Sequence, residues 1–235
     1  EIRTPLSLII GPLEYLMKTT SINNVYGEYL SIIEQNYKRL YALVTQLLDF
    51  RKVDSGAYKL SYDSYQVKDT IAKVACIFEL STRQKKISID ISSIPESMTM
   101  VTDEEAFTKI ISNLLSNALK YVKSTISVTA AENDSEIIIT VTDDGIGITD
   151  QEKTKIFDAF YQVKNNSELN KLGIGIGLHM TRSLIQLMNG NIEANDRKDG
   201  KSGAAISVHF PKQAAVSIAP PMKRVEDTII TEIKT

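Results

Sequence analysis

The sequence predicts an α+β protein in which an N-terminal antiparallel helical hairpin, forming a four-helix bundle on dimerisation, precedes an α/β sandwich. Two patterns indicate this fold class. Up to Phe50, apolar residues recur at alternating steps of four and three, the spacing of bundled helices. After Gly56, several segments alternate apolar and polar residues with period two, as strands with one buried face do, and helical patterns separate them.

The helical hairpin consists of two periodic stretches joined by a polar segment at 19–24. The first stretch carries its apolar residues at Ile2, Leu6, Ile9, Leu13 and Leu16. The second continues the same spacing at Tyr29, Ile33, Asn36, Leu40, Leu43, Leu47 and Phe50, although Asn36 itself is polar. Leu30, Val44 and Leu48 widen its apolar face. Two helices cannot bury so broad a face, so we expect a second copy of the chain to complete a four-helix bundle. Packing of these helices on the rest of the same chain is the alternative.

Gly56 marks the first domain boundary, because glycine commonly follows the last residue of a helix. We expect the hairpin to occupy residues 1–56, the sandwich residues 57–211 and a linker residues 212–235. Within the sandwich, the patterns predict strands around 87–91, 126–130, 137–141 and 206–210. They predict helices at about 67–84, 103–121 and 174–189.

Composition argues against several classes of protein. The formal net charge is −2, from 27 basic and 29 acidic side chains, so no basic surplus favours nucleic acid as a partner. The single cysteine, Cys76, excludes an internal disulfide framework and a cysteine-based metal cluster, and we expect a buried thiol. No apolar run approaches the length of a transmembrane helix, which predicts no direct membrane contact.

The predicted helix at 103–121 carries polar residues along one border of its apolar face. Thr102 and Glu105 have the spacing of a capping box at its start. At about 100° per residue, one stripe contains Asn113, Asn117, Lys120 and Tyr121. Amide oxygens can coordinate Mg²⁺, lysine can contact phosphate and an aromatic ring can pack on a base. The stripe therefore suits a nucleotide, although asparagines that border a core can equally face solvent.

Two glycine-containing segments add further nucleotide-binding features. The strand at 137–141 runs into Asp143, Asp144, Gly145 and Gly147, where a carboxylate beside a tight turn can accept a hydrogen bond from an exocyclic amine. We expect Asp144 to point away, because two facing acids would repel phosphates. After a polar run at 164–171, which is typical of a lid, come Gly173, Gly175, Gly177 and Leu178, leading into a helix whose N-terminus favours phosphate. Each segment alone is a weak signal.

Taken in this order, the segments resemble the sequence boxes of the sensor histidine kinases of two-component systems. Residues 1–6 resemble the phosphoacceptor box after its histidine, and residues 113–121 resemble the N box. Asp143, Gly145 and Gly147 match the first glycine box, Phe157 and Phe160 the F box, and Gly173, Gly175 and Gly177 the second glycine box. The resemblance covers roughly residues 1–211. The ATP-binding fold is also similar to that of gyrase-type and MutL-type ATPases, which lack the preceding helical box.

The resemblance implies ATP and Mg²⁺ as cofactors and a role for each matched residue. Asn117 would coordinate Mg²⁺ with Asn113 close by, Lys120 would contact phosphate, and Tyr121 would pack near the base. Asp143 would hold the adenine amine above the turn of Gly145 and Gly147. Gly173, Gly175 and Gly177, followed by Leu178, would form the hinge of a lid, and Phe160 would belong to the nucleotide site. Glu1 would activate the neighbouring histidine, and Thr4 would position water during dephosphorylation.

The resemblance implies that the phosphoacceptor histidine immediately precedes Glu1. We expect the two histidines of this chain, His179 and His209, to be structural. The γ-phosphate would pass to the upstream histidine and then to an aspartate of a response-regulator receiver, either tethered, as in a hybrid kinase, or separate. If another residue stands in place of that histidine, the chain would be a non-catalytic dimeric ATP-binding scaffold. A gyrase-like ATPase is a further alternative, but the N-terminal pair of helices argues against it. The family implies a homodimer and the cytoplasmic portion of a membrane-anchored bacterial protein.

Overall fold

The computed structural model describes residues 24–163 and 175–212. The helices are α1 (Asn24–Asp54), α2 (Val67–Ile77), α3 (Glu79–Lys85), α4 (Glu104–Tyr121) and α5 (Gly177–Leu187). The strands are β1 (Asp63–Gln66), β2 (Ser88–Asp90), β3 (Thr99–Thr102), β4 (Thr125–Glu132), β5 (Glu136–Asp143), β6 (Asn191–Asp196) and β7 (Ala204–Pro211). A short 3₁₀ helix spans Lys155–Phe157.

A five-stranded mixed sheet forms one layer of an α/β sandwich and confirms the predicted fold class. Its strand order is β2-β4-β5-β7-β6, in which β2 runs parallel to β4 and all other neighbours are antiparallel. Helices α4 and α5 pack on the sheet, and α2 packs on α4. Strands β1 and β3 pair separately in a small antiparallel sheet. Strands β1, β3 and β6 were not predicted: β1 and β3 have four residues each, and the alternation of β6 rests on only two apolar residues, Ile192 and Ala194.

The core lies between α4 and the sheet. The predicted apolar face of α4 is buried in full: Phe107, Ile110, Ile111, Leu114, Leu115 and Ala118. At its centre, the ring of Phe107 lies 5.6 Å from that of Tyr65 and 5.6 Å from that of Phe210. The alternating residues of β4 and β5 also face this core, as the pattern predicted. This packing fixes α4, so the polar border of its apolar face has a defined position.

Helix α1 confirms the second helix of the predicted hairpin, and the first helix lies outside the described residues. The helix ends at Asp54, and Gly56 follows with a φ of +68°, as expected for a C-terminal glycine. Several apolar side chains of α1 stay between 42 and 55% exposed: Ile32, Ile33, Leu40 and Leu47. Among the described residues no helix is both long and apolar enough to cross a bilayer.

The structure corrects the predicted capping box. The capping residue of α4 is Asp103, whose carboxylate accepts a hydrogen bond from the Ala106 N–H at 2.8 Å. Thr102 remains in β3, and its hydroxyl donates instead to the sulfur of Met188 at 3.2 Å. Because the strand continues through Thr102, the helix begins one residue later than the box implies.

Two other local predictions need correction. The predicted helix at 67–84 is interrupted at Phe78, which separates α2 from α3. Cys76 is exposed because the buried face of α2 consists of Val67, Thr70, Ile71 and Val74, and Cys76 lies about 200° around the helix from Val74.

Candidate functional site

A pocket of about 280 Å³ lies beside α4, the end of β5 and the start of α5. Helix α4 contributes Asn113, Asn117, Lys120 and Tyr121, the four residues of the predicted polar stripe. They reach the pocket because the neighbouring apolar face of α4 is held against the sheet. The structure therefore brings the stripe to a concave site, where the solvent-facing alternative would have left it on open surface.

Asp143 provides a buried acceptor in this pocket. Its side chain lies at the end of β5 in a residue that is only 8% exposed, and one carboxylate oxygen accepts from the Gly145 N–H at 2.8 Å. Burial raises the pKa of Asp143, and hydrogen bonds from the N–H groups of Gly145 and Ala204 oppose that rise. Apolar residues line the same pocket: Val141, Ile148, Ala204 and Ile206. An acceptor within an apolar pocket can recognise a flat base through its exocyclic amine.

Two glycines allow other backbone segments to approach Asp143 closely. A Cβ on Gly145 would lie 2.3 Å from the Tyr121 carbonyl oxygen, so the end of α4 contacts the turn after β5 directly. A Cβ on Gly203 would lie 2.0 Å from the Asp143 carbonyl oxygen, and Gly203 has a φ of +137°. Sequence reasoning missed Gly203, because it stands alone in a polar loop and belongs to neither glycine segment. The contact at Gly203 thus lies against the main chain of Asp143, and the contact at Gly145 holds the turn that follows Asp143 against the end of α4.

The second glycine segment forms the other side of the pocket. Gly175 has a φ of +73°, and a Cβ there would lie 2.7 Å from the Tyr161 carbonyl oxygen. The Gly175 carbonyl accepts from the Phe160 N–H at 2.9 Å, which ties this segment to the predicted F box. Gly177 opens α5, and its carbonyl accepts from the Asn113 amide at 3.4 Å.

The polar groups of α4 suit a phosphate-bound divalent cation. The Asn113 amide nitrogen donates to the Gly177 carbonyl and to the Thr181 hydroxyl, so its oxygen is the atom left to accept. The Asn117 oxygen accepts from the Lys120 ammonium at 3.3 Å, and burial lowers the pKa of Lys120. Among the described residues no group of three or more His, Cys, Asp or Glu side chains could hold a metal ion. Mg²⁺ would fit here through amide oxygens and substrate phosphates, a mode that this ion commonly uses.

The predicted site residues thus divide into three groups. Those that line the pocket are Asn113, Asn117, Lys120, Tyr121, Asp143, Gly147, Gly175, Gly177 and Leu178. Gly145 lies beneath the pocket, and Phe160 lies outside it with 63% exposure. Glu1, Thr4 and Gly173 fall outside the described residues, as does the polar run at 164–171. Three further lining residues come from α1 and were not predicted as site residues: Ala42, Leu43 and Gln46.

The two histidines lie outside the pocket lining, as expected for structural residues. The Nδ1 atom of His179 lies 3.1 Å from the Phe157 carbonyl oxygen, and its ring packs against Phe50 with centroids 5.5 Å apart. The Nδ1 atom of His209 lies 3.2 Å from a carboxylate oxygen of Glu136, on the neighbouring strand β5.

Asp144 points away from the pocket, as predicted from charge repulsion. One of its oxygens accepts from the N–H groups of Lys123 and Ser124 at 2.9 Å each, and the other accepts from the Ser124 hydroxyl at 2.6 Å. Burial opposes ionisation, but the hydrogen bonds from Ser124, Thr125 and Lys123 outweigh it and hold the pKa of Asp144 far below its usual range. The carboxylate therefore joins the start of β4 to the end of β5.

We expect Asp144→Asn to lower the urea midpoint of unfolding at pH 7, because the neutral amide accepts these hydrogen bonds less strongly. A depressed folded pKa stabilises the protein above the unfolded value of about 4, and this contribution is lost as the pH falls towards the folded value. The difference between wild type and variant should therefore shrink below about pH 4. A difference that stays constant down to pH 2 would contradict the assignment of the stabilisation to the charged form.

Comparison with known proteins covers both parts of the chain. Residues 102–214 match the family described as "Histidine kinase-, DNA gyrase B-, and HSP90-like ATPase", and residues 1–56 match the "His Kinase A (phospho-acceptor) domain". The hybrid signal transduction histidine kinase D of Dictyostelium discoideum is 29% identical over all of this chain, which spans 16% of that protein. The sensor histidine kinase TmoS of Ectopseudomonas mendocina is 32% identical over 91% of this chain, which spans 22% of that protein.

Solved structures show the same fold. Full-length ShkA in complex with AMPPNP superposes with a TM-score of 0.75 over 91% of this chain and 45% of that one, at 24% identity. Histidine kinase ThkA in complex with the response regulator protein TrrA gives a TM-score of 0.62 over 90% of this chain and 58% of that one, at 22% identity. These similarities extend over both α1 and the sandwich that follows it.

Proposed function

Because the chain belongs to the sensor histidine kinases, with a phospho-acceptor region followed by an ATPase domain, we propose that it transfers the γ-phosphate of ATP to a histidine immediately upstream of Glu1. The phosphoryl group would then pass to an aspartate of a response-regulator receiver. The chain spans about a fifth of the length of the first curated relatives that it matches, so these whole-protein activities are part of the proposal.

The observation that carries the proposal is the convergence of complementary groups in one pocket. Asp143 supplies a buried acceptor in an apolar setting, as adenine requires, and Lys120 and the start of α5 supply positive charge and N–H donors for phosphates. Asn117 would hold Mg²⁺, assisted by Asn113, and the ion would neutralise charge on the phosphates. Tyr121, which lines the pocket, would pack beside the base.

In the proposed reaction, an imidazole nitrogen attacks the γ-phosphorus, the bond to the β,γ-bridging oxygen breaks, and ADP leaves. The imidazole loses its proton to Glu1. The chain's own contribution is mainly positioning and charge stabilisation, since phosphoryl transfer requires little covalent chemistry from the protein. Thr4 would position the water that hydrolyses the phosphorylated receiver.

We propose a homodimer built through the helices of residues 1–56, with residues 57–211 as the catalytic domain and residues 212–235 as a linker. The exposed apolar side chains of α1 support this assembly, because a helix with such a face needs a partner. The receiver would be tethered or separate, and the chain would form the cytoplasmic portion of a membrane-anchored bacterial protein, where ATP is available.

Incubation of the protein, including the residues that precede Glu1, with Mg²⁺ and γ-labelled ATP tests this proposal. We expect label that is stable in base, labile in acid and lost when the residue before Glu1 is replaced by glutamine. Glu1→Gln should slow labelling while the affinity for ATP stays unchanged, because Glu1 acts on the histidine and not on the nucleotide.

The alternatives predict different results in the same assay. ATP binding without label would indicate the non-catalytic dimeric scaffold. Steady ATP hydrolysis without a phosphoprotein would indicate a gyrase-like ATPase. Either outcome would overturn the proposed kinase activity.

A further inference from the structure

One stripe of α1 faces the catalytic domain. It is separate from the stripe that carries the exposed apolar side chains described above. Stepping about 100° per residue places the members of this inward stripe within roughly 120° of each other. The members are Ala42, Leu43, Gln46, Asp49, Phe50 and Val53. The exposed Leu40 and Leu47 fall on the adjacent stripe, which leaves them available to other helices.

The C-terminal half of the inward stripe is anchored to the catalytic domain by four contacts. Phe50 packs edge-on against Phe160 with ring centroids 6.3 Å apart and against His179 at 5.5 Å. An oxygen of Asp49 lies 3.6 Å from the Lys109 ammonium, and Val53 is 7% exposed within the core cluster. These contacts set the position of the turn that precedes them, which carries Gln46.

The N-terminal half of the same stripe forms a wall of the nucleotide pocket. Ala42, Leu43 and Gln46 line it opposite residues of the catalytic domain such as Asn113 and Leu178. Gln46 is the one long polar side chain of this wall, and its amide has no hydrogen-bond partner within the described part of the chain. An amide offers both donors and an acceptor, so it can bond to phosphate, ribose or base.

We propose that Gln46 is a nucleotide-binding residue supplied by α1, so that nucleotide binding and the docking of α1 on the catalytic domain stabilise each other. The inference rests on the proposed function only in taking ATP as the occupant of the pocket. A ligand that contacts both α1 and the catalytic domain binds the docked arrangement more tightly than the undocked one. By linkage, it must shift the population towards the docked arrangement.

Calorimetric titration of Gln46→Ala with Mg²⁺ and AMPPNP tests the contact. We expect the dissociation constant to rise about threefold to tenfold, as for one lost hydrogen bond. The thermal midpoint of the nucleotide-free protein should stay unchanged, while the upward shift caused by AMPPNP becomes smaller. Gln35→Ala is the matched control, because Gln35 is an exposed glutamine of the same helix outside the pocket lining, and its affinity should equal that of wild type.

A double-mutant cycle with Phe50→Ala tests the coupling. Loss of the Phe50 anchor should weaken AMPPNP binding, and adding Gln46→Ala to it should have little further effect, because undocked α1 no longer brings residue 46 to the pocket. Fully additive effects would overturn the coupling. Unchanged affinity in Gln46→Ala alone would overturn the contact.

The same titrations separate this inference from the proposed function. If wild-type protein fails to bind AMPPNP, the nucleotide site itself is wrong. If wild type binds and Gln46→Ala binds equally well, the nucleotide site stands and only the contribution of α1 is refuted.

Discussion

Replacement of Asp143 by asparagine should remove most nucleotide affinity while leaving the fold intact. The asparagine oxygen can still accept the hydrogen bond from the Gly145 N–H, which the carboxylate accepts at 2.8 Å, so the turn keeps its internal contact. Its NH₂ group would then face the donor amine of adenine, where wild type presents an acceptor. Loss of a charge-assisted bond in a buried site costs about 1.5–3 kcal/mol, so we expect the dissociation constant for AMPPNP to rise about 10- to 100-fold.

Asp144→Asn is the matched control for this experiment. It makes the same chemical change at the neighbouring residue, but Asp144 points to Lys123 and Ser124 on the side away from the pocket. Its AMPPNP affinity should equal that of wild type at a temperature where both proteins are folded. Equal losses in the two variants would indicate a general effect of charge, and an unchanged affinity in Asp143→Asn would rule out Asp143 as the base-recognition residue.

Gly203→Ala should be the most destabilising of the single substitutions considered. The new Cβ would lie 2.0 Å from the Asp143 carbonyl oxygen, so the main chain of β5 or of the Gly203 loop must move. Overpacking typically costs about 1–3 kcal/mol, and a side chain at a φ of +137° adds strain of similar size. We expect the free energy of unfolding to fall by about 3 kcal/mol or more, together with weaker AMPPNP binding because Asp143 is displaced.

Gly200→Ala separates the two causes. Gly200 also has a positive φ, +69°, but nothing lies within 4 Å of the position that its Cβ would occupy. This variant should lose only about 1–2 kcal/mol, the cost of the left-handed conformation, and should bind AMPPNP like wild type. Chemical denaturation of both proteins measures the comparison. Equal destabilisation would show that the contact with Asp143 is unimportant.

The sequence predicted well those features that one segment determines by itself. The periodicity of α4 placed six of its seven buried residues and its polar stripe correctly, because an isolated helix already defines its faces. The outward orientation of Asp144 followed from charge repulsion alone. The end of α1 followed from Gly56, whose φ is positive as a C-terminal glycine requires.

Features that depend on distant segments could not be predicted in this way. Gly203 is required only because β7 pairs with β5 and brings residue 203 against Asp143. The left-handed conformation after α5 falls on Asn189 rather than on a glycine. Gly190 is needed for a different reason, because the His209 carbonyl oxygen lies 2.2 Å from the position that a Cβ would occupy. Leu43 and Phe50 fit the repeat predicted for a bundle, yet both face the catalytic domain.

The order of the strands also affects how the protein behaves at high concentration. The five-stranded sheet ends at β2, which has three residues, and at β6, which exposes Glu193 and Asp196 along its length. A very short edge and an edge with charged side chains both resist the addition of a strand from another molecule, which is how many β-sheets avoid aggregation. Self-association through the sheet is therefore disfavoured at both ends, and crowding should promote contacts through the apolar surface of α1 before it promotes fibrils.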